Sequence, residues 1–178
     1  MNDLIHAPIK TQRLLIRHVE LNDWRALQDI WNAISRTEYA QYDGKHTTDD
    51  ASMIERITAW TNACKGVKHL FWVVCLNDEV IGFFAFHDRV DSYEIGYGFH
   101  PNSHNNGYAT ESLLALVDLM KKFKVSTLTA GTALKNTPSV KLLTNSGFKL
   151  VETESVSFYK DKNGNDIFFD GGIFKLYL

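Results

Sequence analysis

Residues 100–120, HPNSHNNGYATESLLALVDLM, begin with a stretch nearly free of hydrophobic groups and turn abruptly into a helical pattern. Asn105, Asn106 and Gly107 stand directly in front of that pattern, and the only acid–base side chains beside them are His100 and His104. A helix N-terminus leaves several backbone N–H groups unpaired and carries about half a positive charge. Gly107 accepts left-handed backbone angles at no steric cost, and asparagine is the next most tolerant residue. The spacing predicts a nest of amides able to hold a phosphate or diphosphate. The plain alternative is a polar turn that caps a helix.

Other chemistry finds less support. His100 and His104 are four apart, but Pro101 opposes a helix between them and no cysteine or third histidine is near, so no metal is expected. Lys121, Lys122 and Lys124 fall at the C-terminal end of the same helix, where cations are favourable without a ligand. Cys64 and Cys75 show no CxxC pattern, which suits a reduced, cytoplasmic protein and marks no covalent acyl carrier. The net charge is −2 and the isoelectric point about 6.4, so no basic field advertises nucleic acid. The opening MNDLIHAPIKTQRLLIR lacks the apolar core of a leader, and no run approaches the ~20 apolar residues of a membrane span.

The elements that must position the loop read as follows. RLLIRHV (13–19) is β-like. Trp24, Leu27, Ile30, Trp31 and Ile34 recur at helical spacing behind Asn22 or Asp23 as cap. Thr47 or Thr48 caps a second helix carrying Met53, Ile54, Ile57, Trp60 and Cys64. Residues 69–99 read as three antiparallel strands with turns at Asn77-Asp78 and over 88–92. A helix over 108–123, a strand over 126–134 and a helix from Thr137-Pro138 to Gly147 follow. Strands over 148–160 and 166–178 flank Asn163-Gly164, a hairpin signal. With 178 residues and no linker, the chain reads as one domain over 1–178. The order predicts an α+β fold with a single mixed, mostly antiparallel seven-stranded sheet and about four helices.

EIGYGFHPNSHNNGYATESL resembles the acetyl-CoA-binding segment of the GNAT superfamily of N-acetyltransferases: a strand, a loop of the form Arg/Gln-x-x-Gly-x-Gly/Ala, then a helix. The six loop positions here are His104, Asn105, Asn106, Gly107, Tyr108 and Ala109. NTPSVKLLTNSGF (136–148) is similar to the family's second motif. TQRLLIRHVELND (11–23) and DGGIFKL (170–176) resemble the ends of one branch, the ribosomal-protein N-terminal acetyltransferases. His104 stands where arginine or glutamine is usual, and Asn105 where many members have a second glycine. The resemblance covers nearly the whole chain. It implies the GNAT fold, an acetyl-CoA co-substrate, and transfer of the acetyl group to a primary amine, either a peptide N-terminus or a small molecule. It implies cofactor contacts from Gly98, Phe99, His100, the loop from His104 to Thr110, Asn136 and Ser139.

In the family the thioester carbonyl meets a backbone N–H at a bulge in the strand before the loop; Gly96 and Gly98 suit a bulge or close ligand approach there, or simply relieve packing against a helix. Glu94 on that strand is the candidate base. The family's usual tyrosine acid falls on Leu143 here, leaving Tyr97, Tyr159, Ser139 or water. Asn136 and Ser139 hold the cofactor arm, polarise a water, with Asn136 then catalytic, or simply cap their helix. The acceptor is expected opposite the cofactor, against Tyr39, Tyr42, Phe86 and Tyr159, with Asp43 or Glu38 attracting its charge; Trp31 reads as core. The rival reading is a non-catalytic acyl-CoA-binding module; monomer and homodimer both fit. Gly107→Glu places bulk and negative charge where phosphate should lie. Calorimetry is expected to show no acetyl-CoA binding by a mutant with unchanged circular dichroism; normal affinity in that folded mutant would remove the nest.

Overall fold

The computed structural model describes residues 5–90 and 92–178. Met1 to Leu4, which open the segment read for a leader, and Asp91, within the turn expected over 88–92, lie outside the described residues. Among the described residues, eight strands form one sheet: β1 (Ile9–Lys10), β2 (Leu15–His18), β3 (His69–Leu76), β4 (Glu79–Arg89), β5 (Ser92–Phe99), β6 (Thr127–Ala133), β7 (Lys149–Lys160) and β8 (Asp166–Tyr177). Among the described residues, four α-helices accompany them: α1 (Trp24–Ile34), α2 (Asp50–Ala63), α3 (Tyr108–Lys122) and α4 (Thr137–Asn145). The strand order is β1-β2-β3-β4-β5-β6-β8-β7. Every pair is antiparallel except β5 with β6. This is the expected mixed sheet with one strand more than the seven read from sequence. The extra strand is β1, two residues held against β2 by Ile9↔Ile16 and Lys10↔Leu15.

The unbroken apolar run of β3 follows from burial on both faces. Side chains alternate across a strand. Leu70, Trp72 and Val74 join Phe84, Phe86, Leu113, Leu116, Met120, Leu142 and Leu143 in a core beneath α3 and α4. Phe71, Val73 and Cys75 join Leu27, Ile30, Trp31, Met53, Ile57, Phe83 and Ala85 beneath α1 and α2. Each large side chain fully withdrawn from water contributes about 1.5–3 kcal/mol, so the two cores fix the helices to opposite faces. Trp31 is core as expected, packed against Trp60 and Phe83.

Turn chemistry sets the connections. Asn77 and Asp78 both adopt positive φ, 48° and 68°, and close the β3–β4 hairpin. Two helix caps differ from expectation. Asp49, not Thr47 or Thr48, caps α2: its carboxylate accepts the Ser52 N–H at 3.0 Å. Asp23 precedes α1 but gives its helix no side-chain bond. Its carboxylate is taken instead by both guanidinium nitrogens of Arg17, each at 2.8 Å, and by the Glu20 N–H at 2.7 Å. The charge-assisted pair outcompetes the weaker cap. Among the described residues, no helix is long and apolar enough to cross a membrane.

Candidate active site

The parallel pair is brief. β5 and β6 meet at Tyr93↔Leu128 and Glu94↔Thr129, and no further rung is formed. Beyond it β5 stays on β4 as far as Phe99, while β6 stays on β8 as far as Ala133. The two strands fork, and both lead directly into helix N-termini, β5 into α3 and β6 into α4. The mouth of the fork therefore faces two positive helix ends.

On the β5 side, Pro101–Ser103 makes one 3-10 turn before the loop. Asn105 and Gly107 adopt the left-handed conformation, φ 60° and 79°, as their types predicted. Backbone N–H groups from Asn105 through Thr110 donate to no acceptor among the described residues. That array is the geometry the nest reading requires, and it is equally the open first turn of a helix preceded by a polar loop. His104 turns back: its Nε2 lies 3.1 Å from the Phe99 carbonyl, so the neutral ring donates there and leaves Nδ1 as an acceptor. Only the imidazolium offers an anion a second N–H. His100 faces away from the nest too, with Nδ1 accepting from Asn102 N–H and Nε2 3.5 Å from Asp29 on α1. Among the described residues, no group of three or more His, Cys, Asp or Glu side chains could hold a metal ion.

A clamp behind the loop escaped the sequence reading. Arg13 donates from Nη1 to the Asn106 carbonyl at 2.9 Å, and from Nε to Glu111 Oε2 at 2.7 Å. Glu111 Oε1 accepts from Thr11 Oγ1 at 2.6 Å and from the Arg13 N–H at 3.0 Å. The guanidinium lies 4.6 Å from the Tyr108 ring centroid. Burial opposes the Glu111 charge, but the bonds from Thr11 and Arg13 outweigh it and hold the carboxyl below its ordinary range. A carboxylate in the first turn of α3 would repel an anion; Arg13 cancels it and fixes the loop carbonyl away from the amides. TQR at 11–13 and Glu111 in ATES were each visible, but nothing in the sequence pairs them.

Deeper in the fork, strand alternation assigns β5 side chains to opposite faces. Tyr97 points to the α3–α4 side, where its hydroxyl lies 2.7 Å from Ser139 Oγ in the first turn of α4. Burial pushes the Tyr97 phenol up to about 12, against a smaller opposing effect of the Ser139 bond. Asn136 caps α4, its side chain accepting the Ser139 N–H at 3.3 Å. Leu143 is fully buried in the core. Glu94 lies on the other face, exposed, with Oε2 held by Arg89 at 2.7 and 2.9 Å. The β4–β5 register runs unbroken from Gly82↔Phe99 to Arg89↔Ser92, so no bulge occurs there, contrary to expectation. The two glycines divide instead. A Cβ at Gly98 would lie 2.7 Å from Phe83 Cε1 and 3.1 Å from Ile34 Cδ1, so α1 needs that glycine for packing. A Cβ at Gly96 would meet nothing within 4 Å, which leaves the backbone open to approach on the α1–α2 side.

A cavity of about 540 Å³ opens near the C-terminal end of β6. Tyr42 and Tyr159, two of the residues named for the acceptor, line it together with Lys135, Phe168, Phe169 and Asp170, which the sequence reading did not name. Tyr39 sits in the same 3-10 turn, Glu38–Tyr42, but outside the lining. Phe86 does not line it: the ring is fully buried on the α3–α4 side, packed edge-on against Trp72. Its even position in β4 sends it to the core. Tyr159 donates to the Asp43 carbonyl at 2.7 Å and so ties the β7–β8 hairpin to the α1–α2 connection. The Asp43 carboxylate is paired with His46 at 3.0 Å. Cys64 and Cys75 are buried outside both regions, and burial pushes the Cys64 thiol up to about 11.

Comparison with known proteins agrees with this geometry. The pattern of the Acetyltransferase (GNAT) domain family matches residues 13–149. A Bacillus subtilis (strain 168) protein called uncharacterized N-acetyltransferase YnaD is 32% identical over 146 residues, covering 79% of this chain and 82% of that one. A GNAT-family acetyltransferase structure from Bacillus anthracis superposes with TM-score 0.75 at 25% identity, over 96% of this chain and 98% of the other. RimL, a ribosomal L7/L12 alpha-N-protein acetyltransferase solved with coenzyme A, superposes with TM-score 0.81 over 97% and 98% of the chains. Identity to it is 14%, so that likeness is one of fold.

The clamp yields a direct expectation. Arg13→Ala should weaken coenzyme A about tenfold, a loss of ~1.4 kcal/mol, by calorimetry. A partly exposed ion pair contributes ~1 kcal/mol or less to folding, so the thermal midpoint should fall by only about 2–4 °C. Unchanged affinity would show that the loop holds its shape without Arg13.

Proposed function

This chain belongs to the GNAT acetyltransferase family, and on that premise we propose that it moves an acetyl group from acetyl-CoA directly to a primary amine. The chain then forms one N-acetyltransferase domain. The observation that carries the reading is the run of undirected amides from Asn105 to Thr110 at the mouth of the β5–β6 fork. Amides left unpaired at a helix N-terminus attract an anion, and a diphosphate supplies several acceptors at once. The β5 backbone past Glu94, no longer paired with β6, offers hydrogen bonds to an extended amide-bearing arm. Acetyl-CoA has both parts and supplies an acyl group activated as a thioester.

The chain's own groups divide the remaining work across the sheet. The amine approaches from the α1–α2 side, past the open Gly96. Its nitrogen forms the new bond to the acyl carbon as the carbon–sulfur bond breaks. Glu94 receives the proton lost by the amine, through water; Arg89 holds Oε2 and leaves Oε1 outward. Tyr97, kept protonated by its raised pKa, returns a proton to the leaving thiolate from the other face, with Ser139 fixing the hydroxyl. At pH 7 roughly a tenth of free α-amines are neutral but under about a thousandth of lysine side chains. A water-relayed base therefore serves an α-amine better than a lysine. Both thiols are buried and raised, which supports direct transfer over a covalent acyl-enzyme.

Free-thiol release with saturating acetyl-CoA and an amine panel tests the reading; saturable binding without acceptor-dependent thiol would mark a binding module instead. Tyr97→Phe should lower kcat about a hundredfold, within the range for proton transfer, with the acetyl-CoA KM changed less than about threefold. An unaltered kcat assigns the acid elsewhere. Glu94→Gln should slow turnover more than it weakens cofactor binding, and identical pH–rate profiles for the two proteins would retire Glu94 as base.

A further inference from the structure

Glycine weakens a strand interior, so each one standing there calls for a reason. The strands of the sheet hold Gly82, Gly96, Gly98, Gly131, Gly171 and Gly172. For four of them the reason is packing. A Cβ at Gly82 would run into the Phe99 ring, one at Gly98 into Phe83, one at Gly171 into Val156 and one at Gly172 into Leu134. At Gly131, as at Gly96, a Cβ would meet nothing within 4 Å. Gly131 has no other structural reason either. The β6–β8 register runs unbroken from Thr127↔Tyr177 to Ala133↔Gly171, so no bulge falls at its rung with Ile173. Positive φ among the described glycines occurs at Gly107, Gly147 and Gly164, and not at Gly131. A β-branched residue would suit such a strand position better. Of the usual reasons for a strand glycine, close approach of a ligand is the one left.

The place of Gly131 says which ligand. Glu94 and Thr129 form the last rung of the β5–β6 pair. Gly96 and Gly131 stand two residues beyond it, one on each strand, so both turn their bare Cα to the same face. That face is the α1–α2 side: Leu128 and Ala130 enter the α3–α4 core, and alternation sends Gly131 the other way. The two strand glycines without a packing role therefore stand at one level on either side of the fork. They also share the face from which the amine approaches. An extended arm lying between the strand edges needs no room above β6 on that face. An acceptor does, because its nitrogen must come down onto the acyl carbon from there.

We propose that Gly131 is a specificity-determining residue: the group that carries the reacting nitrogen lies over it, and its missing side chain sets the bulk allowed beside that nitrogen. The acceptor then runs from Gly96 across β6 toward Ile173, the half-buried neighbour of Gly131 on β8. This rests on the transfer reading above and adds the direction in which the acceptor leaves the fork. The bond changes are those already given.

The test needs no turnover. Coenzyme A is joined through its sulfur to the methyl carbon of an N-acetyl amide, made from glycinamide or from leucinamide. Each conjugate carries cofactor and acceptor in one molecule, with a small or a large group beside the nitrogen. Calorimetry compares both conjugates and acetyl-CoA on the full chain, on Gly131→Ala and on Gly131→Val. The unsubstituted protein should bind the leucinamide conjugate at least as tightly as the glycinamide one. Gly131→Val should weaken the leucinamide conjugate about tenfold or more, with Gly131→Ala between, while acetyl-CoA affinity changes less than about threefold. The thermal midpoints of both variants should not fall. Equal binding of the leucinamide conjugate by all three proteins overturns the inference while the transfer reading stands. So does its exclusion by the unsubstituted protein, or a lowered midpoint in Gly131→Val, which would reveal a packing role. A folded Gly131→Val that loses acetyl-CoA itself also overturns it, by placing the cofactor over β6. An unsubstituted protein that binds no acetyl-CoA overturns the transfer reading and the inference with it.

Discussion

β5 and β6 share a parallel ladder for two rungs and then separate, because each strand has a longer commitment on its other edge. β5 pairs with β4 along its whole length, and β6 pairs with β8 from Thr127 to Ala133. Past Glu94 and Thr129 the inner edges face each other without bonds. A sheet interior seldom tolerates such edges, since each N–H and carbonyl removed from water needs a partner. Here they lie at a mouth bounded by two helix ends, where an extended polar ligand can complete the sheet. The fork, the amide loop and the start of α4 are thus consequences of one topological choice, a parallel neighbour in an otherwise antiparallel sheet.

Holding that fork open takes rigid support on both faces. The α3–α4 core, with Trp72, Phe84 and Phe86 at its centre, anchors the helices whose N-termini face the mouth. The α1–α2 core presses α1 onto Gly98, which explains why a residue without a side chain stands there. Gly96 is different, because a Cβ there would meet no atom of the described residues within 4 Å. The same strand therefore carries one glycine for packing and one for approach. Arg13 extends the support to the loop, neutralising Glu111 and turning the Asn106 carbonyl away from the amide array.

Local chemistry was legible in the sequence, and long-range pairing was not. Asn105 and Gly107 announced left-handed backbone because few other residues adopt it; Asn77-Asp78 did the same for a hairpin. The alternating burial of β3 was hidden by a run apolar at every position, which marks a strand covered twice but not which face each residue takes. β1 was missed because two residues pair only through backbone. The clamp was missed because Arg13 and Glu111 are 98 residues apart. The bulge expected in β5 came from two nearby glycines, and the structure meets their demand with a helix on one and open space on the other. Phe86 was misplaced for want of register, since a shift of one residue moves a side chain to the other face. Lys135 and Asp170 line one cavity only because β6 pairs with β8, and no spacing rule reports that.

The most direct measurement is a crystal structure of the protein with acetyl-CoA bound. The account predicts diphosphate oxygens within about 2.7–3.2 Å of amide nitrogens in the 105–110 run, the extended arm lying between β5 and β6, and the thioester beside Gly96 and Tyr97. A ligand seated elsewhere, or a fork closed by its own side chains while acetyl-CoA remains bound, would contradict it.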